Sequence, residues 1–155
     1  MKYRAIAVST ALFALVAILA FAEDAVQPVF TDSKGLAIRG YDPVAYFELS
    51  KPVKGSEQFK YQWMGATWRF SSESNRDRFS KDPEKYAPQY GGYCAYGVTE
   101  GYAAATDPQA WKIVDGKLYL NYDKEVGRLW SKNIAKNIHK ADSLWPQIPK
   151  KAIQQ

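Results

Sequence analysis

The chain contains one cysteine, Cys94, in the stretch QYGGYCAYG, and one histidine, His139. A thiol and an imidazole are the side chains best suited to soft-metal ligation, nucleophilic attack and redox chemistry near neutral pH. A solitary thiol in this setting has three available roles. It packs as a small hydrophobe, as free cysteines commonly do; it touches a ligand from the wall of a pocket; or it reacts. Gly91 and Gly92 precede it. They permit a close backbone approach or an unusual turn, and they can end one helix and open another. A thiol placed at a helix N-terminus ionises more readily.

Nucleophilic catalysis would need a base against the thiol and a third group to orient that base. Glu100, Asp107 and Asn121 are candidates for the third group. No nucleophile signature surrounds Cys94, and the glycines do not form a phosphate-cradling loop, because the lysine and hydroxyl of such loops are missing. Ligand binding draws on a different set. Tyr41, Tyr46, Tyr90, Tyr93, Tyr96 and Tyr102 cluster along the same motifs. A tyrosine-lined pocket with a thiol in its wall suits a small organic ligand, with Cys94, Tyr93, Tyr96, Tyr46 and Gly92 as the expected contacts. The competing reading gives those rings to the core, since aromatics make up 15% of the chain and its one thiol cannot form an internal disulfide.

The elements that must position these residues are legible in part. Asp42-Pro43, Asp82-Pro83 and Asp107-Pro108 each read as an N-cap followed by proline at the first helical position. FKYQWMGATWRF (59–70) alternates aromatic and polar residues around Met64-Gly65-Ala66, which predicts a β-hairpin. Ser71 or Ser72 then caps a helix running to about Lys81. WKIVDGKLYLNY (111–122) flanks Asp115-Gly116, a pair suited to the positive φ angles of a type I′ turn. From Val126 to Trp145 apolar residues recur at helical spacing, predicting an amphipathic helix, bent or divided. The expectation is an α+β fold: a small antiparallel sheet from two hairpins, packed with short helices and a longer C-terminal amphipathic helix.

The N-terminal residues read differently. Lys2 and Arg4 precede an apolar run to Phe21, and Ala20-Phe21-Ala22 supplies a small-x-small cleavage site. This predicts a signal peptide over 1–22 and a periplasmic or secreted protein with no membrane span after cleavage. Beyond it lie a lead-in segment (23–35), one domain (36–149) and a short tail (150–155). The formal charge of +5 falls by two with the leader, so no nucleic-acid partner is expected. Lys132, Lys136 and Lys140 share one helix face and read as a solvated stripe.

At GYDPVAYF, WRFSSESNRDRFSKDPEKY and YGGYCA the chain resembles the YHS domain family, in the form of exported bacterial proteins that carry little else. The resemblance implies kinship with small treble-clef-like metal-binding modules. In those modules Asp-Pro-Val-Cys and Phe-Cys-Ser-x-x-Cys supply thiolate ligands. In this sequence Ala45, Ser71 and Asn75 stand at those positions. The kinship implies a soft metal ion such as copper as a cofactor, held by the remaining soft donors Cys94 and His139 as a two-ligand Cu(I) site. The function expected is that of a binding or accessory protein, for a metal ion or small ligand, at a pocket containing Cys94. The alternative is a thiol-based redox sensor or cysteine-dependent enzyme.

Overall fold

The computed structural model describes residues 25–151. The leader expected over 1–22 lies outside the described residues. Within them the order is α1 (Pro43–Glu48), β1 (Ser56–Trp63), β2 (Ala66–Phe70), α2 (Glu73–Lys81), α3 (Pro83–Tyr86), α4 (Ala95–Thr99), β3 (Asp107–Val114), β4 (Lys117–Asn121), α5 (Lys124–Ser131) and α6 (Ile134–Leu144). This is an α+β fold. The hairpins β1–β2 and β3–β4 form two separate antiparallel two-stranded sheets.

Local chemistry accounts for most boundaries. The Asp42 carboxylate accepts from the Val44 and Ala45 amides at 2.8 and 3.3 Å, and Pro43 opens α1 without an amide proton to satisfy. Ser72 caps α2 through the Asn75 amide, and Asp82 caps α3 through that of Lys85. Asp115 and Gly116 both take positive φ, 50° and 72°, as a type I′ turn requires. The long C-terminal periodicity is divided: α5 ends at Ser131, and Asn133 caps α6 by accepting from the Lys136 amide. Asn137 Nδ2 donates to the Trp130 carbonyl at 2.7 Å and ties the two helices at their corner.

The third Asp-Pro pair opens no helix. Asp107 begins β3, and its carboxylate accepts from the Gln109 amide at 2.8 Å. The strand register slips between Asp107 and Trp111. Pro108 falls in that irregularity, where its missing N–H costs no ladder bond. The same dipeptide therefore starts a helix or a bulged strand according to the residues C-terminal to it. After Pro108 come Trp111, Ile113 and Val114, which favour a strand.

The lead-in segment is packed into the fold where it is described. Val29 is buried, the Phe30 amide donates to the Gly91 carbonyl at 2.8 Å, and the Val26 amide donates to the Pro149 carbonyl at 2.9 Å. This contact explains Gly91. A Cβ there would lie 2.0 Å from the Pro28 carbonyl oxygen, and φ is +61°, so both space and backbone exclude a side chain.

Two hydrophobic clusters form the core. The first gathers Tyr46, Trp68, Phe70 and Phe79 with Leu118 and Leu120. The second gathers Tyr90, Tyr93, Val98, Tyr119, Trp130 and Ala141. Strand β4 is the wall between them. Side chains alternate along a strand, so Leu118 and Leu120 enter the first cluster while Tyr119 enters the second. Asn121 has the parity of Tyr119.

Candidate functional site

The positions where the resemblance implies metal ligands hold a closed polar cluster. Asp42 is fully buried. One carboxylate oxygen caps α1; the other, Oδ2, accepts from the Ser71 amide at 2.8 Å, the Ser71 hydroxyl at 2.6 Å and Asn75 Nδ2 at 2.7 Å. Five donors surround one carboxylate, which offsets the cost of burying it. Ala45 contributes only its amide. Ser71 and Asn75 direct hydrogens, not lone pairs, at the cluster centre, so this donor set does not fit a soft cation. The cluster ties α1 to the start of α2 across the first hairpin.

Cys94 is 2% exposed. It occupies the N-cap of α4: its Sγ accepts from the Gly97 amide at 3.4 Å, and its carbonyl accepts from Val98 at 3.0 Å. The thiol also donates to Asn121 Oδ1 at 3.7 Å. Of the three groups considered as orienting partners for the thiol, Asn121 is the one brought to it. Glu100 lies at the far end of α4, beside Lys140, and Asp107 caps its own turn.

Asn121 is the residue that sequence reasoning underweighted. It too is 2% exposed, and its Oδ1 also accepts from the Tyr96 amide at 3.1 Å. That amide can only donate, so the oxygen faces the cysteine and Nδ2 faces the other way. Among the described residues Nδ2 has no protein acceptor. Asn121 lines a groove of about 210 Å³ between the second hairpin and α5. The fully buried Trp130 borders it on the inside, and Lys112, Lys124 and Arg128 form its rim; Trp111 borders it from β3 with its ring turned to Tyr46 on the other face. The buried Trp130 indole N–H likewise has no hydrogen-bond partner among the described residues. The signal available in sequence was a polar residue ending the run LYLN at a position whose alternation points into a core.

The floor of the groove is kept low by Gly127, in the middle of α5. Its backbone is helical, and a Cβ there would meet nothing nearer than Asn121 Cβ at 3.8 Å and Nδ2 at 3.9 Å. Neither backbone angle nor crowding calls for glycine here. A glycine inside a helix costs about 0.5–1 kcal/mol relative to alanine, so α5 gives up stability while the space beside the Asn121 amide stays open.

The other expected site residues are distributed through the molecule. Tyr46 belongs to the first cluster, and its hydroxyl donates to the Pro108 carbonyl at 2.9 Å. Tyr93 belongs to the second and donates to the Gln27 carbonyl at 3.0 Å. Tyr96 is half-buried beside it, and Gly92 offers its carbonyl to the Thr106 hydroxyl at 2.8 Å. Tyr102 is exposed. Burial raises the phenol pKa of Tyr46, Tyr90, Tyr93 and Tyr119 above the ordinary tyrosine value; a hydrogen bond from Tyr90 to Asp142 adds to the effect there. These rings therefore serve as neutral packing groups with one anchored hydroxyl each at Tyr46, Tyr90 and Tyr93. His139 is exposed on α6 between Ile138 and Lys140, whereas Cys94 is enclosed. Among the described residues no three His, Cys, Asp or Glu side chains converge as a metal site, and no helix is long and apolar enough to cross a membrane.

Comparison with known protein families places this geometry. The family model of the YHS domain matches residues 44–90. The chain carries a YHS domain. The matched residues run from α1 to Tyr90 and include Ala45, Ser71 and Asn75 of the closed cluster. They end before Cys94, and the groove with its second hairpin and α5 lies wholly beyond the YHS match. No curated protein and no solved structure gives a significant match to the chain.

Proposed function

We propose that this YHS-domain chain is an exported binding or accessory protein whose small ligand sits in the groove between the second hairpin and α5. One observation carries the reading. Asn121 is fixed by two hydrogen bonds through Oδ1, while its Nδ2 is left without a protein acceptor beside open space. The amide hydrogens on Nδ2 are free to donate into the groove, and a bound ligand supplies the acceptor. Cys94 contributes from behind the site: it holds Asn121 in place and caps α4, instead of touching the ligand itself. Export rests on the leader pattern at residues 1–22.

Native mass spectrometry of the protein, purified from its own host, tests this. The expected result is a mature chain beginning at Glu23 with a non-covalent mass, and loss of that mass in Gly127→Leu. That substitution fills the groove while favouring the helix, so a folding failure is not expected to confuse the outcome. An identical bound mass in the variant would place the ligand elsewhere. Titration with Cu(I) against a competing chelator addresses the metal alternative. Stoichiometric binding that disappears in Cys94→Ala and in His139→Ala would replace the groove reading with a copper site.

A further inference from the structure

The groove has a chemical bias that its position in the fold does not require. The residues lining it supply three cationic side chains, Lys112, Lys124 and Arg128, and no carboxylate. They come from two elements: Lys112 from β3, Lys124 and Arg128 from α5. Lys124 and Arg128 are four residues apart and so share a helix face. All three are exposed at the rim. Beneath them Asn121 presents a donor, held by Cys94 and Tyr96 so that its acceptor oxygen is already used. The site thus offers hydrogens and positive charge and withholds lone pairs.

Its inner border is closed. Trp130 is fully buried there, and the Trp111 ring is turned to the other face of the hairpin, 5.3 Å from Tyr46 between centroids. Trp130 packs its ring on Tyr119 at 5.2 Å between centroids, which holds the inner wall rigid. At about 210 Å³ the space admits a ligand of only a few heavy atoms across, smaller than the usual drug-sized pocket of roughly 300 Å³ or more.

Resting on the proposal that the groove is the ligand site, we infer that its ligand is a small organic carboxylate. The carboxylate sits between Asn121 Nδ2 and the Arg128 and Lys112 head groups. A carboxylate oxygen is a strong acceptor for both an amide and a guanidinium. A cation would meet repulsion from the rim and find no acceptor at Asn121. A neutral amide would lose the charge-assisted part of the interaction.

The test is a two-dimensional amide NMR titration of the mature chain with sodium benzoate, benzamide and inorganic phosphate, each also run on Gly127→Leu, Arg128→Gln and Lys112→Gln. Benzoate is expected to shift the Asn121 side-chain amide and the Gly127 backbone amide saturably. Benzamide should bind at least tenfold more weakly, Arg128→Gln and Lys112→Gln should each weaken benzoate severalfold, and Gly127→Leu should abolish the shifts. Phosphate binding as tightly as benzoate would show a site for small anions in general, and would overturn the carboxylate assignment. Equal binding of benzamide, shifts that map away from Asn121 and Gly127, or no saturable shift with any probe would overturn it as well. The two readings fail separately. A host-derived mass lost in Gly127→Leu, together with no benzoate response, retains the groove and removes the carboxylate; an unchanged mass in that variant removes the groove itself.

Discussion

The two halves of the molecule each bury a polar side chain at the edge of a core, and they treat it in opposite ways. Asp42 is surrounded by donors until nothing remains to be satisfied. Asn121 is satisfied on one side, by Cys94 and Tyr96, and left open on the other. Both are at most 2% exposed, so burial alone does not distinguish them. The difference lies in whether the network closes. A closed network specifies packing, because any rearrangement strands a charge or a donor. An open one retains unspent hydrogen-bonding capacity and directs it at solvent or ligand. The resemblance to metal-binding modules draws attention to the first cluster; the unpaired amide donor lies in the second.

Substitutions separate the two regions. Asp42→Ala should have the largest effect. It removes the cap of α1 and strands the Ser71 and Asn75 donors, so a loss of about 3 kcal/mol or more is expected from hydrogen bonds to a charged acceptor, read as a lowered urea midpoint. A folded Asp42→Ala population should still bind benzoate with near wild-type affinity; if binding fell in step with stability under folding conditions, the two regions would not be independent.

Alkaline pH should act next, and mainly on the second cluster. Burial holds the Tyr46, Tyr90, Tyr93 and Tyr119 phenols neutral beyond their ordinary range, and three of these four belong to the second cluster. The unfolded phenols ionise at about pH 10. Folded pKa values above the unfolded value mean that the unfolded chain sheds protons first, so stability is intact below about pH 10 and falls as pH rises beyond it. Tyrosinate absorbance and circular dichroism recorded together should change in one step. Ionisation of these phenols well before loss of the fold would contradict their buried role.

Cys94→Ala should cost about 1 kcal/mol, the usual scale for a lost N-cap. Because the Tyr96 amide still holds Asn121, benzoate affinity should fall only severalfold. Thiol labelling of the wild type should proceed at the rate of local opening, as its 2% exposure implies; rapid labelling under native conditions would return Cys94 to the role of a redox sensor. The smallest effect is a gain. Gly127→Ala should stabilise the domain by about 0.5–1 kcal/mol, measured as a raised urea midpoint, while weakening benzoate through the added methyl group.

What the sequence made legible was local. The Asp42-Pro43 cap, the Asp115-Gly116 turn and the aromatic alternation of the first hairpin each depend on neighbours a few residues away, and each appears where the pattern put it. Asp107-Pro108 shows the limit of such signals, since a cap residue and a proline serve a bulged strand equally well. Cys94 stood out because its type is rare, yet what the thiol does depends on Asn121, 27 residues distant. The division of the tyrosines between two clusters follows from the alternation of β4 between two cores, and no local spacing in Tyr46 or Tyr93 encodes it. Gly127 was passed over because its meaning is visible only when the space beside its Cα is seen.

Strand β4 has one more consequence. Leu118 and Leu120 complete a cluster whose other members lie mostly in the first half of the chain. The segment matched as the domain therefore does not contain the whole of its own interior. Excised at 44–90, it should give a soluble fragment with little fixed structure and no cooperative melt. Added in trans, a peptide spanning the second hairpin should restore order to it.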